Sequence, residues 1–216
     1  MNEETILSKS APHSRTRSRR IGGFSMVELA VSMTVLLILT AIAIPTLMRS
    51  FRAYQLNDAA GRFSDMLKFT RFEAVRRNTQ LCFLMQQNAS DWTVGTSSNC
   101  GAAFDANGKQ QVIAGFATPL PANTAGLPGQ AAICGQLVNN GGPCLDDTSS
   151  GTNNATVQFD ARGAIRVGGN VAPRVFVFYF GSAGDPEFGY RAVILLPSGA
   201  TQMWTGPKGG PWQRFA

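Results

Sequence analysis

The sequence predicts an α+β fold in which one long amino-terminal α-helix, membrane-spanning in its first half, packs on one or two antiparallel β-sheets. Three observations carry this reading. From Leu29 to Met48 the chain runs twenty residues without a formal charge. Beyond that run, apolar positions recur at spacings of three and four, and from residue 81 onward the pattern changes to short β-rich runs broken by turns. The chain has 216 residues, 23 of them Gly and 11 Pro, enough to bury one modest core and hardly two.

The first element is a basic leader, residues 1–23. It holds Lys9, Arg15, Arg17, Arg19 and Arg20 against Glu3 and Glu4, which is half of the formal excess of +6. A pI near 9.5 is compatible with nucleic-acid binding, but cations gathered beside an apolar run read as a topology signal. The one histidine, His13, lies in the leader, so the rest of the chain has no imidazole to act as base, nucleophile partner or metal ligand. The remaining acids are scattered. Neither Asp105-Ala106-Asn107-Gly108 nor Asp146-Asp147 continues into a calcium loop with a closing glutamate. The sequence therefore predicts no enzyme, no catalytic residue, no metal and no cofactor.

The second element is the apolar helix, residues 24–48. At about 1.5 Å of rise per residue, twenty apolar residues cover a bilayer core. The basic flank lies before the run and only Arg49 and Arg52 follow it closely, so the positive-inside rule puts the leader in the cytoplasm and the rest outside. A cleaved secretory signal fits less well, because the run is too long and Pro45-Thr46-Leu47-Met48 offers no small-x-small site. One carboxylate, Glu28, interrupts the apolar stretch. Such a group is expensive in lipid and survives chiefly where it has a partner or a role. A cut after Gly23 would free the amine of Phe24 one helical turn away, a cation able to pair with Glu28 of its own or a neighbouring helix.

The junction GFSMVELAVSMTVLLILTAIAIP resembles the class III leader junction of type IV prepilins and pseudopilins. The resemblance implies a pilin fold, cleavage after Gly23 by a prepilin peptidase, methylation of Phe24 as the new amino terminus, and a docking role for Glu28 in a filament. It also gives Pro45 a counterpart, the proline that kinks or locally melts the family helix. The implied partners are the peptidase, other major and minor pilins or pseudopilins, and an inner-membrane assembly platform. The implied location is a single-pass inner-membrane protein with a periplasmic carboxyl-terminal domain that later enters a filament.

The third element, residues 49–80, continues the helix in amphipathic form. Leu56, Ala59, Ala60, Phe63, Met66, Leu67, Thr70 and Ala74 fall on one face, and the intervening charges read as the solvated face. The expected helix runs from Phe24 to about Arg77. The fourth element, residues 81–216, is a β-rich domain. Its expected strands are 81–85, 92–94, 112–116, 156–159, 164–167, 174–180, 191–196 and 201–204, with hairpin turns at Asp160-Ala161-Arg162-Gly163 and Pro197-Ser198-Gly199. RVFVFYF and RAVILL are apolar on both faces and read as central strands. Residues 118–154, rich in Gly, Pro, Asn, Ser and Thr, read as a long surface loop.

Cys82, Cys100, Cys134 and Cys144 all fall in the exported part, where disulfides persist. Proximity in sequence suggests Cys82 with Cys100 and Cys134 with Cys144, although three pairings are formally possible. A zinc site competes poorly, with no CxxC pair and no exported histidine.

The segment SDMLKFTRFEAVRRNTQLCF, with VQFDARGAIR and RAVILLPSGATQMW, resembles the GspH/FimT family of minor pseudopilins and FimT-type minor pilins. The resemblance implies a low-abundance structural subunit acting in initiation or tip assembly. FimT-type members that take up DNA carry a Gly-Arg-x-Arg pattern after the last hairpin turn, where this chain has Gly199-Ala200-Thr201-Gln202. Lys208, Trp212 and Arg214 in the carboxyl-terminal tail form a small basic-aromatic set that could stack on and pair with a single strand. A solvated, partly ordered tail is the preferred reading of the same residues.

Overall fold

The computed structural model describes residues 23–88, 91–101, 103–113, 116–121, 124–128, 154–167, 170–171, 175–182 and 184–215. The leader up to Gly22, the Cys134–Cys144 pair and most of the 118–154 loop lie outside the described residues. The chain divides into two units, Met1–Ile44 and Pro45–Ala216.

Helix α1 spans Met26–Arg77. The assigned helix runs through Pro45. A proline removes a single backbone donor, and the ladder on either side remains. In the second unit α1 is amphipathic. The positions selected by the three-and-four spacing, from Leu56 to Ala74, are all buried. Its end is a Schellman motif: Asn78 takes a positive φ of 50°, its N–H donates to Val75 O, and Thr79 N–H donates to Ala74 O, both at 3.1 Å.

Eleven strands follow among the described residues, in two sheets. The first sheet contains β1 (Leu81–Asn88), β2 (Asp91–Ser97), β3 (Gln110–Ile113), β5 (Asn154–Phe159), β6 (Ile165–Val167) and β7 (Asn170–Val171), in the order β3-β2-β1-β5-β6-β7. The second contains β4 (Thr118–Leu120), β8 (Phe176–Gly181), β9 (Tyr190–Leu195), β10 (Thr201–Gly206) and β11 (Gln213–Arg214), in the order β11-β10-β9-β8-β4. Each strand pair is antiparallel.

One core joins the helix to both sheets. Phe63, fully buried, is its centre: its ring lies 4.9 Å from Phe83 of β1, 4.7 Å from Phe178 and 4.9 Å from Phe180 of β8. A second core lies on the opposite face of the second sheet. Along β8, Phe176, Phe178 and Phe180 enter the first core while Val177 and Tyr179 enter the second. That division explains why RVFVFYF lacks polar alternation: both of its faces are covered.

The second core is closed by segments that the sequence reading left in solvent. Trp212 is 1% exposed, lies 5.8 Å from the Tyr179 ring, and donates from Nε1 to Pro128 O at 3.1 Å. Tyr190 Oη donates to Ala125 O at 3.2 Å, and Gly209 N–H to Gly126 O at 2.9 Å. The carboxyl-terminal tail is solvated along most of its length, as expected, with Trp212 as the exception. It lays Trp212 over the second core, and Gln213 and Arg214 pair with β10.

Other expectations need adjusting. The 118–154 loop opens with a strand, β4, whose Pro119 is tolerated because β4 is an edge. The strand expected at 112–116 ends at Ile113. Phe116 instead stacks on Phe188 at 5.7 Å, with the Arg52 guanidinium 4.4 Å from its ring centroid. The two hairpin turns form as expected, joining β5 to β6 and β9 to β10.

Candidate functional site

In the first unit, Gly23, Phe24 and Ser25 precede the helix, and Glu28 occupies its first turn. A carboxylate there is favoured by the partial positive charge of the unpaired helix N–H groups. Glu28 is the one charged side chain between Phe24 and Met48. Phe24 is 78% exposed, and apolar side chains stand exposed around the helix from Met26 to Ile44. Its hydroxyls are internally satisfied: Ser32 donates to Glu28 O at 2.7 Å, Thr34 to Ala30 O at 2.9 Å, and Thr40 to Leu36 O at 2.7 Å. By length and composition this helix can cross a membrane. An apolar surface covering all sides of a helix has no place in water.

No family model matches this sequence, and no curated protein matches it significantly. Among solved structures, two crystal forms of the type IV minor pilin FimU of Pseudomonas aeruginosa are similar in shape. The P65 form has 16% identity and a TM-score of 0.44, covering 68% of this chain and 91% of that chain. The P21 form has 15% identity and a TM-score of 0.45, covering 75% of this chain and 93% of that chain. At these values the likeness assigns neither a family nor a residue.

In the second unit, Cys82 and Cys100 form a disulfide with a Cα–Cα distance of 5.3 Å. It ties the start of β1 to the turn after β2. That turn is also held by Asp105, which accepts from Ser98 N–H at 2.7 Å and Ser98 Oγ at 2.9 Å. Asp105 thus has a structural task. Among the described residues no three His, Cys, Asp or Glu side chains gather as metal ligands.

The tail set does not come together as a stacking site. Trp212 faces inward, while Lys208 and Arg214 are exposed.

A polar joint that the sequence did not reveal lies where the two hairpin turns meet the helix. Arg71 Nε donates to Gly163 O at 3.1 Å. Gly163 and Gly199 both take φ of 77°, and a Cβ on either would meet the Arg71 side chain. Lys68, Arg71, Phe72, Val75, Arg162 and Gly199 line a groove of about 540 Å³ beside this joint. Nothing in local sequence links Arg71 to two turns so distant along the chain, although Asp-x-x-Gly and Pro-Ser-Gly did mark the turns.

Two residues further along α1, Glu73 is buried and accepts from Arg76 and Arg77. The hydrogen bond from Arg76 is the largest cause that holds its carboxyl down at about 2, with Arg77 adding to it against the opposing effect of burial. Asp160 in the β5–β6 turn is also lowered. Burial raises it, but the N–H groups of Ala164 and Arg162 and the Arg166 side chain outweigh burial.

Proposed function

We propose that this chain is a minor pilin or pseudopilin, a structural subunit of a type II secretion pseudopilus or type IV pilus that acts in filament initiation or tip assembly. The observation that carries the reading is Glu28. It is the one charged side chain of the apolar segment 24–48, exposed in the first turn of α1 and five residues beyond Gly23.

In this reading a prepilin peptidase cuts after Gly23, and Phe24 becomes the methylated amino terminus. The new ammonium group and Glu28 form the polar pair that registers one helix against the next. A charge buried in lipid costs roughly 2.5–3.5 kcal/mol, and pairing in a helix bundle offsets part of that cost. Residues 24–48 hold the precursor in the inner membrane. Residues 49–80 and 81–216 form the periplasmic head, and a platform then transfers the subunit into a filament beside other pilins. The subunit performs no chemistry of its own. A DNA-binding minor pilin, the second reading, loses its aromatic contact through the burial of Trp212.

The test is incorporation in a host that has a prepilin peptidase and a filament machine. The parent chain is expected in the sheared filament fraction, whereas Glu28→Ala is expected to be processed yet retained in the membrane. Recovery of Glu28→Ala in filaments at the parental level would refute the assembly role.

A further inference from the structure

Two uncompensated charge sets stand at opposite ends of the head. At one end is the Arg71 groove. Arg71 and Arg162 have no carboxylate partner among the described residues, and between them the helix exposes Phe72 at 65% and Val75 at 46%. Both turns around Arg71 carry glycine where a Cβ would displace it, so the cation is held in place rather than swinging freely.

At the other end is the 3-10 turn Pro186–Phe188 between β8 and β9. Asp185 caps it by accepting from Glu187 N–H, Glu187 is exposed, and neither acid is in an ion pair among the described residues. By contrast, Asp58, Asp65, Glu73 and Asp160 each have a cation within reach. Phe188 packs on Phe116, over which Arg52 lies. The acidic turn therefore sits level with residue 52 of α1 and the groove level with residue 71, about 28 Å apart along the axis at helical rise.

We propose that the groove receives the Asp185-Pro186-Glu187 turn of a second copy of this chain. The carboxylates would meet Arg71 and Arg162, and Pro186 would cover Phe72 and Val75. Because donor turn and acceptor groove are different surfaces at opposite ends, the contact either repeats from copy to copy or pairs two antiparallel copies reciprocally, and the sedimentation coefficient at high concentration separates the two. It deepens the filament reading by naming a head contact, but it rests on the charge placement and not on processing. A nucleic-acid strand suits the groove less well, since Phe72 and Val75 between its cations are apolar and offer a phosphate backbone no donor.

The test is sedimentation velocity of the full chain in detergent over a range of protein and salt concentrations. Arg162→Glu and Glu187→Lys, both at exposed positions, are compared with the parent after thermal melts confirm that each is folded. The expected result is concentration-dependent association of the parent that weakens with salt. Each single variant should lose it, and both the mixture of the two variants and the doubly swapped chain should regain it. Arg162→Gln and Asp185→Asn should weaken it without reversal. A parent that does not associate, single variants that associate like the parent, or a charge swap without rescue would each overturn the contact. So would an oligothymidylate that binds the parent, fails to bind Arg162→Glu, and competes with no self-association. None of these results would touch cleavage after Gly23 or the role of Glu28, which the filament assay reads separately.

Discussion

Arg71 Nε and Gly163 O are joined by a 3.1 Å hydrogen bond across 92 residues of sequence, and the same arginine lies against Gly199 of the other hairpin turn. The helix is thereby fastened to both sheets at their turns as well as through the core. Gly199→Ala would place a methyl into Arg71 at a φ of 77° and is expected to cost about 1–3 kcal/mol. Urea denaturation of the full chain in detergent measures it. With Arg71→Ala in the same chain the crowding is relieved, so the double variant should lose less than the two single losses added together.

Phe63 meets rings from both sheets. Phe63→Ala should lower stability by about 3–5 kcal/mol, one of the largest losses available in the head, because three facing rings cannot all collapse into the space. A loss under about 1 kcal/mol in the unfolding free energy would mean that the helix is not seated there.

Glu73 gives the head an acid limit. Its folded value is about 2 against an ordinary 4.5, so its contribution is present above pH 4.5 and is lost as pH falls from there toward 2. Denaturation curves between those limits should show stability declining with acid. Glu73→Gln should flatten the decline, leaving the smaller slope due to Asp160, which is lowered in the same direction.

Trp212 closes the second core. Trp212→Ala is expected to cost about 3–5 kcal/mol. Trp212→Phe keeps most of the apolar surface but leaves the Pro128 carbonyl without its indole donor, a loss of about 1–3 kcal/mol. A solvent-exposed tail would instead make both substitutions neutral.

The helix was legible because both halves of it declare themselves in composition. An uncharged run and then a strict apolar spacing leave one solution, and every residue the spacing selected is buried. Strands β8 and β9 were legible as central because both faces are apolar. What was not legible is what those outer faces bury. Trp212 and Leu120 are brought to Tyr179 only by the sheet order β11-β10-β9-β8-β4, and short edge strands such as Thr118–Leu120 carry too few residues to show a period. Nothing in the sequence marked Glu73 as buried, yet two arginines within one turn allow it to be.

The central claim is that the chain is a precursor whose helix begins its mature life at Phe24. Intact-mass spectrometry of the full chain, expressed with and without a prepilin peptidase, tests it most directly. The peptidase should remove residues 1–23 and add one methyl group at Phe24. An uncut chain, or a cut after Met48, would contradict it and leave an ordinary anchored or secreted β-rich domain.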